Sequence, residues 1–527
     1  MNNFYFKISP YQFKLFNNEI ILIIIISLLI IFSSILIKYY KKKDIVFIIF
    51  NIILFSVFLI LYNSFVQIYN LESSSIIFNF ALTIDFYSNS VKLLLCLWTL
   101  IVLIGSFRFL LNSKTSSIEY PLLIVLGLFF LMVLVSSYNF MVLYLSIEGL
   151  SLLLYVLAAF PFNKGSLESS IKYFILSAIA SGILVFGILI IYGHTGSFDF
   201  FYIKWILNHI ELSNKGIQYG LFCIIYGFLF KLGLFPCHMW SLDVYTGSWL
   251  PSTTFFMTSV KTGIFCLFVR LLLYIFYPLM FIWKSVLILV CIGSLLVGCI
   301  GALTQKRLKR IFIYSSINQV GFSLLGLVTG NLQGFTSSFF FIFIYILSSI
   351  GLFSILLNTE SYIKGQNLVL LSDLTNFGLF NKRYSFIICI ILFSMAGIPP
   401  LAGFFSKYYI FKSLVDSSMY MLAIYSILIS IVNSFVYIKI LKIMFFDKNV
   451  NRNENDYFVY CIYKNLYTNI KKKNNVKNLN LCVFYENLIT SLLYIISLLL
   501  IYIPCDIVVV LNYIKFFTMN CYLILSI

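Results

Sequence analysis

The chain is predicted to be an all-α polytopic membrane protein with about 14 transmembrane helices, including two inverted five-helix repeats that each contain one broken helix. Its 527 residues are 61% hydrophobic and only 10% charged, with a mean hydropathy of +1.01. Soluble domains carry about 25% charged residues, so this composition excludes an ordinary soluble fold. The apolar residues also form runs of about 20, the length that crosses a bilayer as a helix.

The predicted spans are separated by polar or charged loops. In order, they occupy 20–39, 45–69, 91–112, 120–137, 139–161, 168–193, 217–238, 252–275, 285–303, 310–328, 335–358, 384–412, 418–446 and 486–514. Residues 447–483 are rich in Asn and Lys and lack apolar periodicity, so they are predicted to form a polar loop. The predicted units are 1–115 with three N-terminal helices, the repeats 116–280 and 281–446, the loop 447–483, and the C-terminal helix 484–527.

The net charge of +18 comes from 36 basic and 18 acidic side chains and first suggests nucleic-acid binding. The charges crowd into loops such as Lys38–Asp44 and Asn469–Lys477, so membrane topology and anionic lipid, cardiolipin included, explain them more simply. Alternate loops hold roughly 20 Lys and Arg against roughly 4 in the others, as the positive-inside rule expects. Both termini are therefore predicted on the outer, intermembrane or periplasmic side, and no nucleic-acid partner is expected.

The cysteine pattern predicts neither a metal site nor a disulfide framework. The 11 cysteines include no CxxC pair and no Cys/His ligand spacing, and no GxGxxG phosphate loop opens a helix. No cofactor is therefore expected in this chain. The abundance of Phe, Tyr, Ile and Asn is typical of an AT-rich organellar genome.

Four ionisable residues lie well inside predicted spans: Glu148, Lys231, Lys261 and Lys407. A charged side chain at the centre of a membrane helix costs about 2.5–3.5 kcal/mol on insertion scales. Such residues usually mark ion pathways or proton relays. The alternatives are that the lysines extend to the lipid headgroups and that Glu148 makes a structural polar contact.

Two spans are interrupted by proline, one at Pro236 and the other at Pro399 and Pro400. Proline inside a helix costs about 3 kcal/mol or more, and broken helices at membrane depth occur where the freed backbone groups face protein or water. Five spans separate the two breaks, an odd offset that inverts the second unit relative to the first. The first break adjoins Lys231 and His238; His238 is either a proton carrier or an ordinary interfacial histidine.

The residues around these charges resemble NADH dehydrogenase subunit 2, an antiporter-like membrane subunit of respiratory complex I. The resemblance runs from about residue 140 to residue 412 and rests on YLSIEGLSLLLYVLAAF, SLESSIKYFILSAIASGILVFGILIIYGHTGS, FKLGLFPCHMWSLDVYTG, TTFFMTSVKTGIF, GALTQKRLKRIFIYSSINQVGF and SMAGIPPLAGFFSKYYIF. Together these motifs are specific, although GIPPLAGF alone also fits the related subunits 4 and 5.

The resemblance implies a role for each buried charge. Glu148 matches the pairing glutamate of the family, and Lys231 matches the lysine of the first broken helix. Lys261 matches the connecting lysine, and Lys407 matches the terminal lysine that exchanges protons with the outer side.

The chain departs from the family pattern at three positions. Cys237 stands where Phe is common, Trp249 disturbs the usual Gly-Ala-Pro turn, and Gln319 replaces a common His. Because glutamine cannot carry charge, water must bridge the relay between Lys261 and Lys407.

The resemblance implies a proton-translocating subunit of NADH:ubiquinone oxidoreductase, a translocase of the mitochondrial inner membrane. NADH, FMN, iron–sulfur clusters and ubiquinone would be bound by other subunits, and neighbouring antiporter-like subunits would be among its partners. A cation/proton antiporter subunit of a multi-subunit exchanger and a non-pumping membrane scaffold are the alternatives. The stretch KYFILSAIASGILVFG favours subunit 2 over the antiporter, and the buried charges argue against a scaffold.

Overall fold

The computed structural model describes residues 17–36, 42–69, 75–112, 119–209, 214–359, 370–375, 378, 382–447, 495–499 and 501. Within these ranges the chain is helical apart from one short hairpin, turns and isolated bridges. The predicted loop 447–483, except for its first residue, and most of the predicted span 486–514 lie outside the described residues.

The described residues of the N-terminal part form three helices. They are α1 (Asn17–Leu36), α2 (Lys42–Tyr69) and α3 (Phe86–Asn112). Helix α3 begins five residues before the predicted span at 91, because Asp85 caps it: its Oδ1 accepts a hydrogen bond from the Ser88 backbone N–H at 2.7 Å. The polar first turn that this cap stabilises carries no hydropathy signal.

An antiparallel hairpin connects α2 and α3. Its strands are β1 (Ser75–Ile77) and β2 (Leu82–Ile84). The sequence does not predict it, because each strand has only three residues and the turn places Phe78, Asn79 and Phe80 at positive φ where glycine would be expected.

The following region, up to residue 275, contains seven helices. They are α4 (Glu119–Ser136), α5 (Phe140–Ala159), α6 (Lys164–Thr195), the short α7 (Phe200–His209), α8 (Lys215–Leu232), α9 (Met239–Gly247) and α10 (Leu250–Ile275). Helix α10 includes two π-helical turns, at Phe256–Val260 and Leu271–Ile275. The predicted span 217–238 therefore stops at Leu232, and the chain becomes helical again only at Met239.

Six further helices complete the described bundle. They are α11 (Met280–Thr304), α12 (Leu308–Val328), α13 (Leu332–Thr359), α14 (Lys382–Ala396), α15 (Ala402–Asp416) and α16 (Tyr420–Phe445). The predicted span 384–412 is divided between α14 and α15, so the break predicted at the double proline is confirmed. Among the described residues, ten helices are long and apolar enough to cross a membrane, and the predicted number of about 14 is not confirmed.

Helices α10, α12 and α13 form the centre of the bundle. Their most apolar stretches are 100%, 94% and 89% buried within the protein, against 39% for α6 and 33% for α16. The polar side chains of these three helices are therefore surrounded by protein and not by lipid, as polar groups inside a membrane require.

Candidate functional site

The first break follows a specific helix ending. Gly233 has a φ of 71°, a left-handed conformation that suits glycine. The Leu234 N–H donates to the Leu229 carbonyl at 3.0 Å, which is the long-range hydrogen bond of a Schellman motif. Pro236 follows three residues after the glycine, and α9 begins only at Met239.

The second break repeats this arrangement. Gly397 has a φ of 85°, and the Ile398 N–H donates to the Phe393 carbonyl at 3.2 Å. Pro400 again follows three residues after the glycine. Both broken helices therefore end in the same way inside the bundle, with several backbone carbonyls at each end available to polar partners.

Lys231 occupies the last turn of α8, just before the first break. Its side chain is 6% exposed, and its Nζ has no hydrogen-bond partner in the described part of the chain. Glu148 on α5 is close enough to interact with it electrostatically, but the two side chains form no direct ion pair. The Glu148 carboxylate is partly exposed and accepts a hydrogen bond from the Ser151 hydroxyl at 3.0 Å. The structure thus brings the predicted pair near each other without direct contact.

Lys261 lies in the middle of the central helix α10, directly after the π-helical turn at Phe256–Val260. Its side chain is 2% exposed, and its Nζ donates to the Ser316 hydroxyl on α12 at 3.0 Å. The ammonium also lies 5.8 Å from the centre of the Tyr245 ring. π-helical turns inside α-helices occur frequently at functional sites. The hydrogen bond of Lys261 to Ser316 therefore joins α10 to α12, which belong to the first and second predicted repeats.

Aromatic rings lie next to both Lys231 and Lys261. Helices α8 and α10 pack against each other. Trp240 stacks on Phe230, the neighbour of Lys231, at 5.2 Å and contacts Tyr245 edge-on at 5.7 Å. Among the described residues, Lys231 Nζ has no hydrogen-bond partner and Lys261 Nζ donates to Ser316, so no hydrogen bond joins the two ammonium groups.

Lys407 on α15 reaches back to the second break. Its side chain is 5% exposed, and its Nζ donates to the carbonyls of Met395 at 3.2 Å and Ala396 at 2.8 Å. These are the last two residues of α14, and the C-terminal end of a helix carries a partial negative charge. The backbone of the broken helix, and not a carboxylate, therefore stabilises this ammonium.

A small cavity lies between Gln319 and Lys407. It is also lined by Tyr345, Ser348 and Ser406. The space that the centre of a water molecule can reach in it is about 10 Å³. This is close to what one bound water molecule requires. Gln319 lies one turn beyond Ser316 on α12, so hydroxyl and amide groups extend from Lys261 toward Lys407.

His238 is 6% exposed and lies in the turn between α8 and α9. Its ring stacks on Phe235 at 6.2 Å, and its Nδ1 has no hydrogen-bond partner within the described ranges. The described contacts connect it to none of the three lysines. Both interpretations of His238 therefore stay predictions.

The structure also contains two buried ion pairs that the sequence does not predict. Arg270 donates to Asp85 at 2.9 Å, and Lys92 pairs with Glu19. All four side chains are at most 3% exposed. A search for charges in the middle of spans misses them, because each lies near a predicted helix end. Among the described residues, no group of three or more His, Cys, Asp or Glu could hold a metal ion.

Comparisons with known proteins identify the family of this chain. Residues 137–432 match the family model described as NADH:quinone oxidoreductase/Mrp antiporter, TM. NADH-quinone oxidoreductase subunit N of Pelagibacter ubique is 38% identical over 394 residues, which cover 74% of this chain and 82% of that protein. The subunit N of Bartonella bacilliformis is 37% identical over 377 residues, covering 70% and 76%.

Two solved structures have the same fold. A chain of respiratory complex I from Thermus thermophilus superposes with a TM-score of 0.73 at 23% identity, covering 94% of this chain and 98% of that chain. A chain of the Mrp complex from Dietzia sp. DQ12-45-1b gives a TM-score of 0.77 at 15% identity, covering 96% and 97%. The chain therefore belongs to the NADH:quinone oxidoreductase/Mrp antiporter family of membrane subunits.

Proposed function

We propose that this chain is the proton-translocating, antiporter-like membrane subunit of an NADH:quinone oxidoreductase. Its bacterial relatives carry the name NADH-quinone oxidoreductase subunit N. The observation that carries the proposal is the burial of Lys231, Lys261 and Lys407, each at most 6% exposed, on three different helices of one bundle. A membrane scaffold has no need to keep three ammonium groups in such positions, whereas a proton relay does.

The proposed route begins at Glu148 and Lys231, continues to Lys261 and ends at Lys407. The hydrogen bond from Lys261 to Ser316 supports its central step. The cavity between Gln319 and Lys407 supports a water-mediated step at its outer end. Water would also carry the proton from Lys231 to Lys261.

The energetics of this route are reasonable. Moving one proton against about 200 mV costs about 4.6 kcal/mol, at about 2.3 kcal/mol per 100 mV. Two unit charges 4 Å apart attract each other by about 4 kcal/mol at an effective dielectric constant of about 20. Forming and breaking a direct contact between Glu148 and Lys231 would therefore change the energy of the charged lysine by about the required amount. Electron transfer in other subunits would drive that change.

Other membrane subunits are expected partners, because the relatives and structural neighbours belong to multi-subunit complexes. We extend the proposal to neighbouring antiporter-like subunits and anionic lipid, cardiolipin included, as partners. The other subunits would bind NADH, FMN, iron–sulfur clusters and ubiquinone. The abundance of Phe, Tyr, Ile and Asn, which is typical of an AT-rich organellar genome, supports a mitochondrial inner membrane location. The loop charges support termini on the intermembrane-space side.

The test uses the purified whole complex in lipid vesicles. Lys231→Met and Lys261→Met should stop NADH-driven acidification of the vesicles while the complex still assembles. Lys172→Met is the matched control, because Lys172 is 47% exposed and pairs with Glu168 at the helix surface. Acidification at the normal rate in both buried variants would contradict the proposal.

The alternative of a cation/proton antiporter subunit has a separate readout. The fold of the Mrp complex chain is compatible with it. An antiporter subunit would purify with a multi-subunit exchanger and would acidify vesicles in response to a sodium or potassium gradient without NADH. The proposed subunit would purify with NADH–quinone activity.

A further inference from the structure

We propose that Tyr437 is a positioning residue that fixes the orientation of the Gln319 amide, so that the amide oxygen faces a proton-carrying water next to Lys407. This inference rests on the proposed function, since it concerns the last step of the same relay. It assigns a role to a tyrosine on α16, a helix that carries none of the charged relay residues.

The contact between the two side chains is fully buried. The Gln319 Nε2 donates to the Tyr437 hydroxyl at 3.3 Å, and the side chains are 3% and 0% exposed. An amide has one accepting and one donating end. With Nε2 donating to the Tyr437 hydroxyl, the amide oxygen is the end left for the cavity.

Lys407 presents the other side of the cavity. An ammonium group has three N–H donors, and two of them are used by the Met395 and Ala396 carbonyls. Lys407 also lines the cavity, whose volume is close to what one water molecule requires. A bound water needs about two to four polar partners. Lys407, the Gln319 oxygen and the hydroxyls of Ser348 and Ser406 meet that requirement.

The orientation of the amide decides whether this water can carry a proton. With its oxygen toward the cavity, Gln319 accepts a hydrogen bond and stabilises the positive charge of a proton in transit. With its NH₂ group toward the cavity, it presents a second donor beside the Lys407 ammonium and disfavours that charge. Tyr437 therefore compensates for the absence of a titratable histidine at position 319, because it keeps an uncharged side chain in the accepting orientation.

The experiment compares Tyr437→Phe, Gln319→Leu and the double variant in the whole complex in lipid vesicles. Acidification rates are normalised to assembled complex. Tyr437→Phe should slow proton pumping up to about tenfold, since a hydrogen bond between neutral groups contributes at most about this factor. Gln319→Leu should slow it at least as much, and the double variant should be no slower than Gln319→Leu, because contacting residues that act through one another are not additive.

Tyr425→Phe is the matched control. It removes a hydroxyl from the same helix that donates to the Ile292 carbonyl at 2.8 Å, and it should leave pumping unchanged. Gln319→His should make pumping independent of Tyr437, because an imidazole carries the proton itself. If Tyr437→Phe fails to assemble, Gln319→Asn, whose shorter side chain withdraws the amide from Tyr437, should show the same slowing.

Three outcomes would overturn the inference: normal pumping in Tyr437→Phe, equal slowing by Tyr437→Phe in the Gln319→Leu background, or normal pumping in Gln319→Asn when Tyr437→Phe does not assemble. Lys407→Met separates this result from failure of the proposed function. If Lys407→Met stops pumping while Tyr437→Phe does not slow it, only the role of Tyr437 is wrong. If Lys407→Met pumps normally, the relay itself is wrong.

Discussion

The ion pair between Arg270 and Asp85 should be the contact that fixes the C-terminal end of the central helix α10. The two side chains are 2% and 3% exposed and lie 2.9 Å apart. Arg270 also donates to the Thr83 hydroxyl at 2.6 Å and to the Val135 carbonyl at 3.1 Å. One guanidinium therefore connects α10 to the hairpin, to the start of α3 and to the end of α4.

Arg270→Met should destabilise the subunit by about 3–5 kcal/mol, because it leaves the Asp85 carboxylate buried without its partner. Asp85→Asn should cost less, about 1.5–3 kcal/mol, because Arg270 keeps its hydrogen bonds to the Thr83 hydroxyl and the Val135 carbonyl. Asparagine caps helices about as well as aspartate, so the start of α3 should be preserved. Arg270→Met combined with Asp85→Asn should be more stable than Arg270→Met alone, because no unpaired charge remains.

The assay is retention of this subunit in the detergent-purified complex after heating to a series of temperatures. The expected order of retention is wild type first, then Asp85→Asn, then the double variant, with Arg270→Met lowest. If Arg270→Met retains the subunit as well as wild type, or if the two single losses simply add in the double variant, the pair does not anchor α10.

Three other variants test separate parts of the structure. Gly397→Ala should destabilise the second break by about 1–2 kcal/mol, because φ is 85° there and the added Cβ would lie 3.0 Å from Cδ of Lys407. Gly182→Ala is the control, because its added Cβ meets nothing within 4 Å. Equal heat retention of the two variants would contradict this prediction. Glu19→Gln should lower heat retention because it leaves Lys92 buried and unpaired, but acidification per assembled complex should not change; slower acidification would assign the pair to the relay. Ser316→Ala should slow acidification about tenfold by removing the acceptor of the central lysine, and an unchanged rate would exclude that step.

The helices and the breaks are predictable from sequence because their causes are local. A proline lacks its N–H wherever it stands, so Pro236 and Pro400 indicate interruptions without knowledge of neighbours. A lysine in an apolar run, such as Lys261, is costly in lipid and therefore indicates a buried polar environment. The structure adds the details of the helix endings, including the glycine three residues before each proline.

The partners of the lysines are not predictable in the same way. Ser316 donates to the carbonyl of Ile313 in its own helix at 2.7 Å, as serines in membrane helices commonly do. The residues around Ser316 therefore do not indicate that it also contacts Lys261. The partners of Lys407 are backbone carbonyls, which every residue has. Tyr437 is uncharged and lies on a peripheral helix. Only the packing of α10, α12 and α16 brings these groups to the relay.

A density map of the assembled complex that resolves ordered water tests the central claim most directly. The account predicts water molecules joining Lys231 to Lys261 and one water molecule bound by both Gln319 and Lys407. A map in which these lysines contact only apolar side chains, or turn outward to lipid, would contradict a proton route through the interior of this chain.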